Sequence, residues 1–133
     1  MTPATRERTL KIILVVLGVV QFGTSAFSFV GAMMRLPRSI ATPMLESVMM
    51  TLGVFLVLAS RNPPAYRSVI LYGGWANLAH ATVMAAMAIP VATQRAELLI
   101  PAALAAVGGA LLLLFAPPSS SSSSSSANAT MSS

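Results

Sequence analysis

Four long runs of this chain are almost free of charge. Between Lys11 and Arg35 lie 23 residues with none, and Ser39–Ser60 (broken only by Glu46), Ser68–Gln94 and Leu98–Ala116 follow. A hydrocarbon core about 30 Å thick is crossed by ~20 apolar residues at 1.5 Å rise, so each run is long enough to span it. In lipid every backbone N–H and C=O must be paired internally, which leaves helices as the solution for segments of this length. The expected fold class is all-α, a transmembrane up-and-down four-helix bundle.

Composition narrows the class further. Of 133 residues, 56% are apolar and only 8% charged, whereas soluble domains carry about 25% charged residues. The net charge of +5 does not imply a nucleic-acid partner. Such a footprint requires cations clustered on one face, and here they stand in ones, twos and threes beside the apolar runs. The chain has no cysteine, which removes disulfides, thiolate metal sites and cysteine nucleophiles. The first run, preceded by Arg6, Arg8 and Lys11, exceeds the ~7–15 residues of a signal-peptide core, and reads as an uncleaved first span.

Breakers set the boundaries. Residues 1–9 form a polar lead and a first helix runs about 10–34. Thr42-Pro43 supplies an N-cap and a first-turn proline for a second helix at 43–60, which Asn62-Pro63-Pro64 ends. A third helix occupies about 66–89, and a fourth about 94–115, closed by Pro117-Pro118. Residues 117–133, with eight consecutive serines from Ser119, are expected to be a disordered tail. No internal sequence repeat and no heptad pattern is apparent. Connections this short make sequential helices antiparallel neighbours. Arg6, Arg8, Lys11, Arg61 and Arg67 fall on one side, Arg35, Arg38 and Arg95 on the other. The excess places both termini in the cytoplasm.

The polar residues inside these runs carry whatever chemistry there is. Gly73, Asn77, His80, Met84 and Met87 share one face of the third helix, with Trp75, Leu78 and Thr82 on the other. His80 lies 13 residues beyond Arg67, about 20 Å along the axis. An ionisable group at that depth must face the bundle interior or water. Its commoner role is a neutral imidazole that hydrogen-bonds across helices; its functional role is a ligand or proton site. In the first helix Gly18, Gln21, Ser25, Ser28 and Ala32 form a small-and-polar stripe, and a Gln21–Asn77–His80 layer follows if the two stripes face. Glu46 is the one acid within a run. Placed in the first turn of the second helix it is stabilised by the helix dipole, the blander reading; otherwise it is a proton carrier or cation ligand. Glu97 has the same first-turn explanation. Ala102, Ala105, Ala106, Gly108 and Gly109 give the fourth helix a surface for close helix contact.

Sharper chemistry finds less support. His80, Met84 and Met87 at i, i+4 and i+7 would suit a soft metal, but methionine is ordinary packing material and the chain has a single histidine. No metal and no cofactor is expected. There is no Asp, no phosphate loop and no paired carboxylate, so no catalytic constellation is expected either.

The run Leu52-Gly53-Val54-Phe55-Leu56 through Ala59, then Arg61-Asn62-Pro63, Arg67-Ser68 and Trp75-x-Asn77-Leu78-x-His80-Ala81-x-Val83-Met84, resembles a family of small uncharacterised bacterial four-helix membrane proteins, loosely similar to DoxX-like proteins. The resemblance covers about a quarter of the chain and implies four helices and a bacterial inner membrane. It implies no activity, and points to Asn77 and His80 as the place for a shared site. The leading expectation is a non-enzymatic accessory or interaction module whose partners are the lipid bilayer and a second copy or another membrane protein. The alternatives are a membrane subunit holding a quinone, haem or metal near His80, and a proton-coupled transporter that works as a dimer through Glu46 and His80.

Overall fold

The computed structural model describes residues 3–34, 41–90, 93 and 95–118. Within them the chain forms four helices: α1 (Pro3–Met33), α2 (Ala41–Ala59), α3 (Arg67–Met87) and α4 (Arg95–Phe115). The serine run, and most of the connection between α1 and α2, lie outside the described residues.

Two helices start earlier than the breakers suggest. α1 takes in the polar lead from Pro3, supported by a Glu7–Lys11 ion pair one turn apart at 2.8 Å and by Thr9 Oγ1 donating to the Thr5 carbonyl. α2 begins at Ala41 rather than Pro43. The first four N–H groups of a helix have no internal partner, so a proline at the third position removes nothing the helix uses. The consequence falls on Glu46. It sits in the second turn, and the first turn of α2 holds no acid, so the dipole explanation for this carboxyl loses most of its force. Glu97 does occupy the first turn of α4.

Length and apolarity also divide the helices. α1, α2 and α4 are long and apolar enough to cross a membrane. α3 is 21 residues long but falls short in apolarity, because Tyr72, Trp75, Asn77 and His80 dilute it. Only 17%, 28% and 22% of the most apolar windows of α1, α2 and α4 are buried within the bundle. Much of the remainder is exposed, Phe27, Leu104 and Leu114 among it, as a lipid-facing exterior is.

The four helices form a ring of unequal edges. α1 packs along α2 and α3 along α4, whereas α2 meets α3, and α1 meets α4, only sparsely. Glycines make the tight edges. A Cβ on Gly18 would stand 2.7 Å from the Gly53 carbonyl oxygen, and one on Gly53 2.8 Å from that of Gly18. A Cβ on Gly109 would stand 2.7 Å from the Gly74 carbonyl oxygen. At each crossing backbone lies directly on backbone, the contact that small residues permit between helices in lipid.

These crossings reveal a repeat. Gly74 follows Gly18 by 56 positions (74 − 18), and Gly109 follows Gly53 by the same 56 (109 − 53). The same offset relates Leu14 to Ile70 and Leu56 to Leu112, all four fully buried. Leu17 of α1 covers Gly108 of α4, and at the equivalent positions Leu52 of α2 covers Gly73 of α3, the large and small partners exchanged. The bundle is thus two hairpins of one plan, α1–α2 and α3–α4, arranged about a pseudo-two-fold axis that runs along the bundle.

The glycine level splits the bundle across its length. On the side of the chain termini, Leu10, Leu14, Leu52, Leu56, Ala59, Ile70 and Leu112 form a closed apolar core. Two arginines finish that end: Arg6 Nη2 donates to the carbonyls of Leu114 (3.1 Å) and Ala116 (3.3 Å), and Arg67 Nε to that of Pro117 (2.8 Å). They satisfy carbonyls that the end of α4 leaves unpaired and complement the negative end of its dipole. On the other side the helices diverge.

Candidate functional site

Beyond the glycine level the divergence opens a cavity of about 340 Å³ that all four helices line. α1 contributes Gln21, Thr24, Ser25 and Ser28, and α2 contributes Glu46 and Met49. Asn77, His80 and Met84 come from α3, and Pro101, Leu104 and Ala105 from α4, with Leu17 and Val20 completing the wall. The four polar residues singled out in the sequence, Gln21, Glu46, Asn77 and His80, therefore border one space. The stripes of α1 and α3 face each other across it because the pseudo-two-fold axis makes them equivalent. Met87, on the same sequence face as His80, points away and is 53% exposed.

The lining has a floor and a mouth. Ser25 and Asn77 are buried, at 6% and 7% exposure, while Gln21, Ser28, Glu46, Met49, His80 and Met84 are half-buried. The exposed members, Val20 and Thr24 of α1 with Pro101 and Leu104 of α4, flank the α1–α4 seam. The mouth thus opens sideways through the wall of the bundle, between largely apolar lips.

The hydrogen bonds present show which atoms remain available. Asn77 Nδ2 donates to the Gly73 carbonyl one turn earlier at 2.8 Å. Gln21 Nε2 donates to Met49 Sδ at 3.1 Å. Each amide has spent an N–H on the scaffold, and neither carbonyl oxygen accepts a hydrogen bond from the described residues. Thr24 Oγ1 donates back to Val20, which leaves its lone pairs. Ser25, Ser28, Glu46 and His80 make no hydrogen bond or ion pair with the described residues. Among those residues no fully enclosed side-chain nitrogen or oxygen lacks a partner, so the open oxygens reach the cavity itself. His80 does not bridge helices as glue, and the Gln21–Asn77–His80 layer is a shared lining rather than a hydrogen-bonded chain. No hydroxyl pairs with the imidazole, and no group of three or more His, Asp or Glu able to hold a metal stands together among the described residues.

Glu46 differs from the other two acids. Glu7 is paired with Lys11 in solvent-exposed surroundings, and Glu97 is exposed at the start of α4. Glu46 is the one carboxyl that lines the cavity, inside a helix apolar enough to span a membrane.

Sequence reasoning passed over Met49, Thr24, Pro101 and Leu104. Met49 carries no signal among nine methionines. Pro101 does, being the proline inside α4: it lacks the N–H that would meet the carbonyl one turn back, a departure that often accompanies a site in a membrane helix.

The chain belongs to a family of unknown function, DUF6632, whose model matches residues 4–114. That span takes in all four helices. No curated protein and no solved structure matches the chain.

Proposed function

We propose that this member of a family without assigned activity is a small multi-pass membrane protein that holds a small ligand in the hollow half of its bundle and performs no catalysis on it. One observation carries the reading: the polar residues that lipid should exclude, drawn from all four helices, border one cavity of about 340 Å³. Ligand pockets begin at about 300 Å³, typically with a few placed polar groups in an apolar wall. Packing alone gives no reason for this composition. The other half of the same bundle closes with apolar side chains only. The cavity thereby favours a ligand-holding protein over a purely accessory module. A quinone-, haem- or metal-type occupant near His80 is one outcome of the test below.

The same reading puts the protein in the inner membrane of a bacterium with both termini in the cytoplasm, supported by the excess of Lys and Arg at the arginine-capped end. The cavity then lies in the outer half of the bilayer. The cysteine-free chain makes this simple to check. In intact cells, an impermeant maleimide is expected to spare Arg61→Cys and to label a cysteine at Pro90; the reverse pattern inverts the topology.

Native mass spectrometry of protein extracted gently from its own membrane tests the site. A bound small-molecule mass is expected in the wild type and lost in Ser25→Leu and Ala105→Leu, which fill the cavity from α1 and α4. Retention of the same mass by both variants, or a wild type carrying only ordinary phospholipid, overturns the assignment.

A further inference from the structure

The two hairpins share a plan, and the places where they part company identify what the cavity is for. At the packing positions the copies agree: Gly18 with Gly74, Gly53 with Gly109, Leu56 with Leu112. They agree too at one cavity position, where Gln21 and Asn77 are equivalent and both are amides. They differ where charge is introduced. Glu46 has Ala102 as its equivalent, so the carboxyl breaks the symmetry of the site and stands alone in it.

We infer that the cavity binds an organic ammonium ion, with Glu46 as its charge partner and the carbonyl oxygens of Asn77 and Gln21 as hydrogen-bond acceptors. This rests on the reading of the cavity as a ligand site and adds the class of ligand. Three observations converge on it. First, each amide gives one N–H to the scaffold, Asn77 Nδ2 to Gly73 and Gln21 Nε2 to Met49, and each carbonyl oxygen is left with no donor among the described residues. Second, Ser25 and Asn77 are more than nine-tenths buried, line the cavity and keep oxygens with no partner among the described residues. Third, among the described residues no Lys or Arg lines the cavity to neutralise Glu46. A space rich in acceptors, with one carboxylate and, among the described residues, no basic partner beyond the half-buried His80, is complementary to a cation that donates hydrogen bonds. The wall decides between cations. A bare metal ion takes six or more oxygen ligands in most hard-cation sites, whereas Leu17, Val20, Met49 and Leu104 offer apolar surface suited to the hydrocarbon body of an amine. The mouth between Val20 and Leu104 admits such an amphiphile from the side.

The test uses the full chain in nanodiscs of zwitterionic phosphatidylcholine, with uptake corrected for protein-free discs. Three probes of one shape are compared by equilibrium dialysis: 2-phenylethylammonium, the neutral isostere propylbenzene and the anion 3-phenylpropanoate. The ammonium is expected to bind at least about ten-fold tighter than propylbenzene, a difference of about one charge-assisted hydrogen-bonded contact, and the anion not at all. Glu46→Gln is expected to remove that preference, Glu46→Asp to retain part of it, and Glu97→Gln to leave it unchanged. Equal thermal midpoints of wild type and Glu46→Gln establish that the fold is intact. If propylbenzene binds as well as the ammonium and Ser25→Leu abolishes both, the cation assignment falls and the cavity remains a ligand site. If no probe binds above protein-free discs, both fall.

Discussion

Gly53→Ala is expected to destabilise the bundle by about 2 kcal/mol or more, a large effect for one methyl group. The new Cβ would lie 2.8 Å from the Gly18 carbonyl oxygen, 2.9 Å from the Phe22 amide nitrogen and 3.2 Å from its Cα. All three are backbone atoms of a continuous helix, so no rotamer change relieves them. α1 and α2 must separate, which forfeits close-packed contact along the whole pair. Alanine's better helix propensity returns only about 1 kcal/mol. Gly109→Ala is expected to behave alike, with its Cβ 2.7 Å from the Gly74 carbonyl oxygen. Gly108→Ala should cost less, because it meets only the Leu17 side chain, whose ends can move. Gly23→Ala, with nothing within 4 Å, should gain about 0.5–1 kcal/mol. Reversible unfolding in mixed micelles measures all four. A ranking in which Gly53→Ala is as mild as Gly108→Ala would remove the backbone crossing as the source of hairpin stability.

Leu56→Ala is the second large effect, expected to cost about 2 kcal/mol. Leu56 is fully buried and its Cδ2 lies over Gly73. In water such a deletion loses both transfer and cavity terms. Between helices surrounded by lipid tails the transfer term shrinks, because lipid is as apolar as the core, and the cavity term remains. That places the value at the low end of the usual range. Leu112→Ala, at the equivalent position in the second hairpin and equally buried, should cost nearly the same. Phe27→Ala, 85% exposed toward the surroundings, should cost little. A two-fold or greater difference between the two leucines in the same micelles would show that the pseudo-symmetry does not extend to energetics.

Much of the architecture is legible in the sequence because it rests on composition and length. Uncharged runs bounded by prolines give four antiparallel helices with little ambiguity, and in a bundle there are few places for Asn77 and His80 to go. What escaped is of a different kind. The 56-residue repeat is hard to see in residue identity because it is kept at few positions, the backbone crossings Gly18/Gly74 and Gly53/Gly109 and core positions such as Leu56/Leu112, while lipid-facing positions drift among interchangeable apolar types. Glu46 turns on a boundary: a start at Pro43 leaves it in the first turn, a start two residues earlier at Ala41 puts it in the second, and Pro43 is compatible with either. The role of α3 also shifted, since a helix that shields an interior site need not be as apolar as the three around it.

The uneven ends of the bundle have a mechanical consequence. The apolar core and the Arg6 clasp join the two hairpins at the terminal end, while at the opposite end the cavity lies between them. A structure stiff at one end and loose at the other behaves as a pair of tongs. Rotation of the hairpins by a small angle about that core leaves the leucine layers nearly in place and moves the jaws by the arm length times that angle. Temperature, membrane thickness and lateral pressure would therefore register first in the distance between Glu46 and the opposite hairpin, long before any helix unwinds.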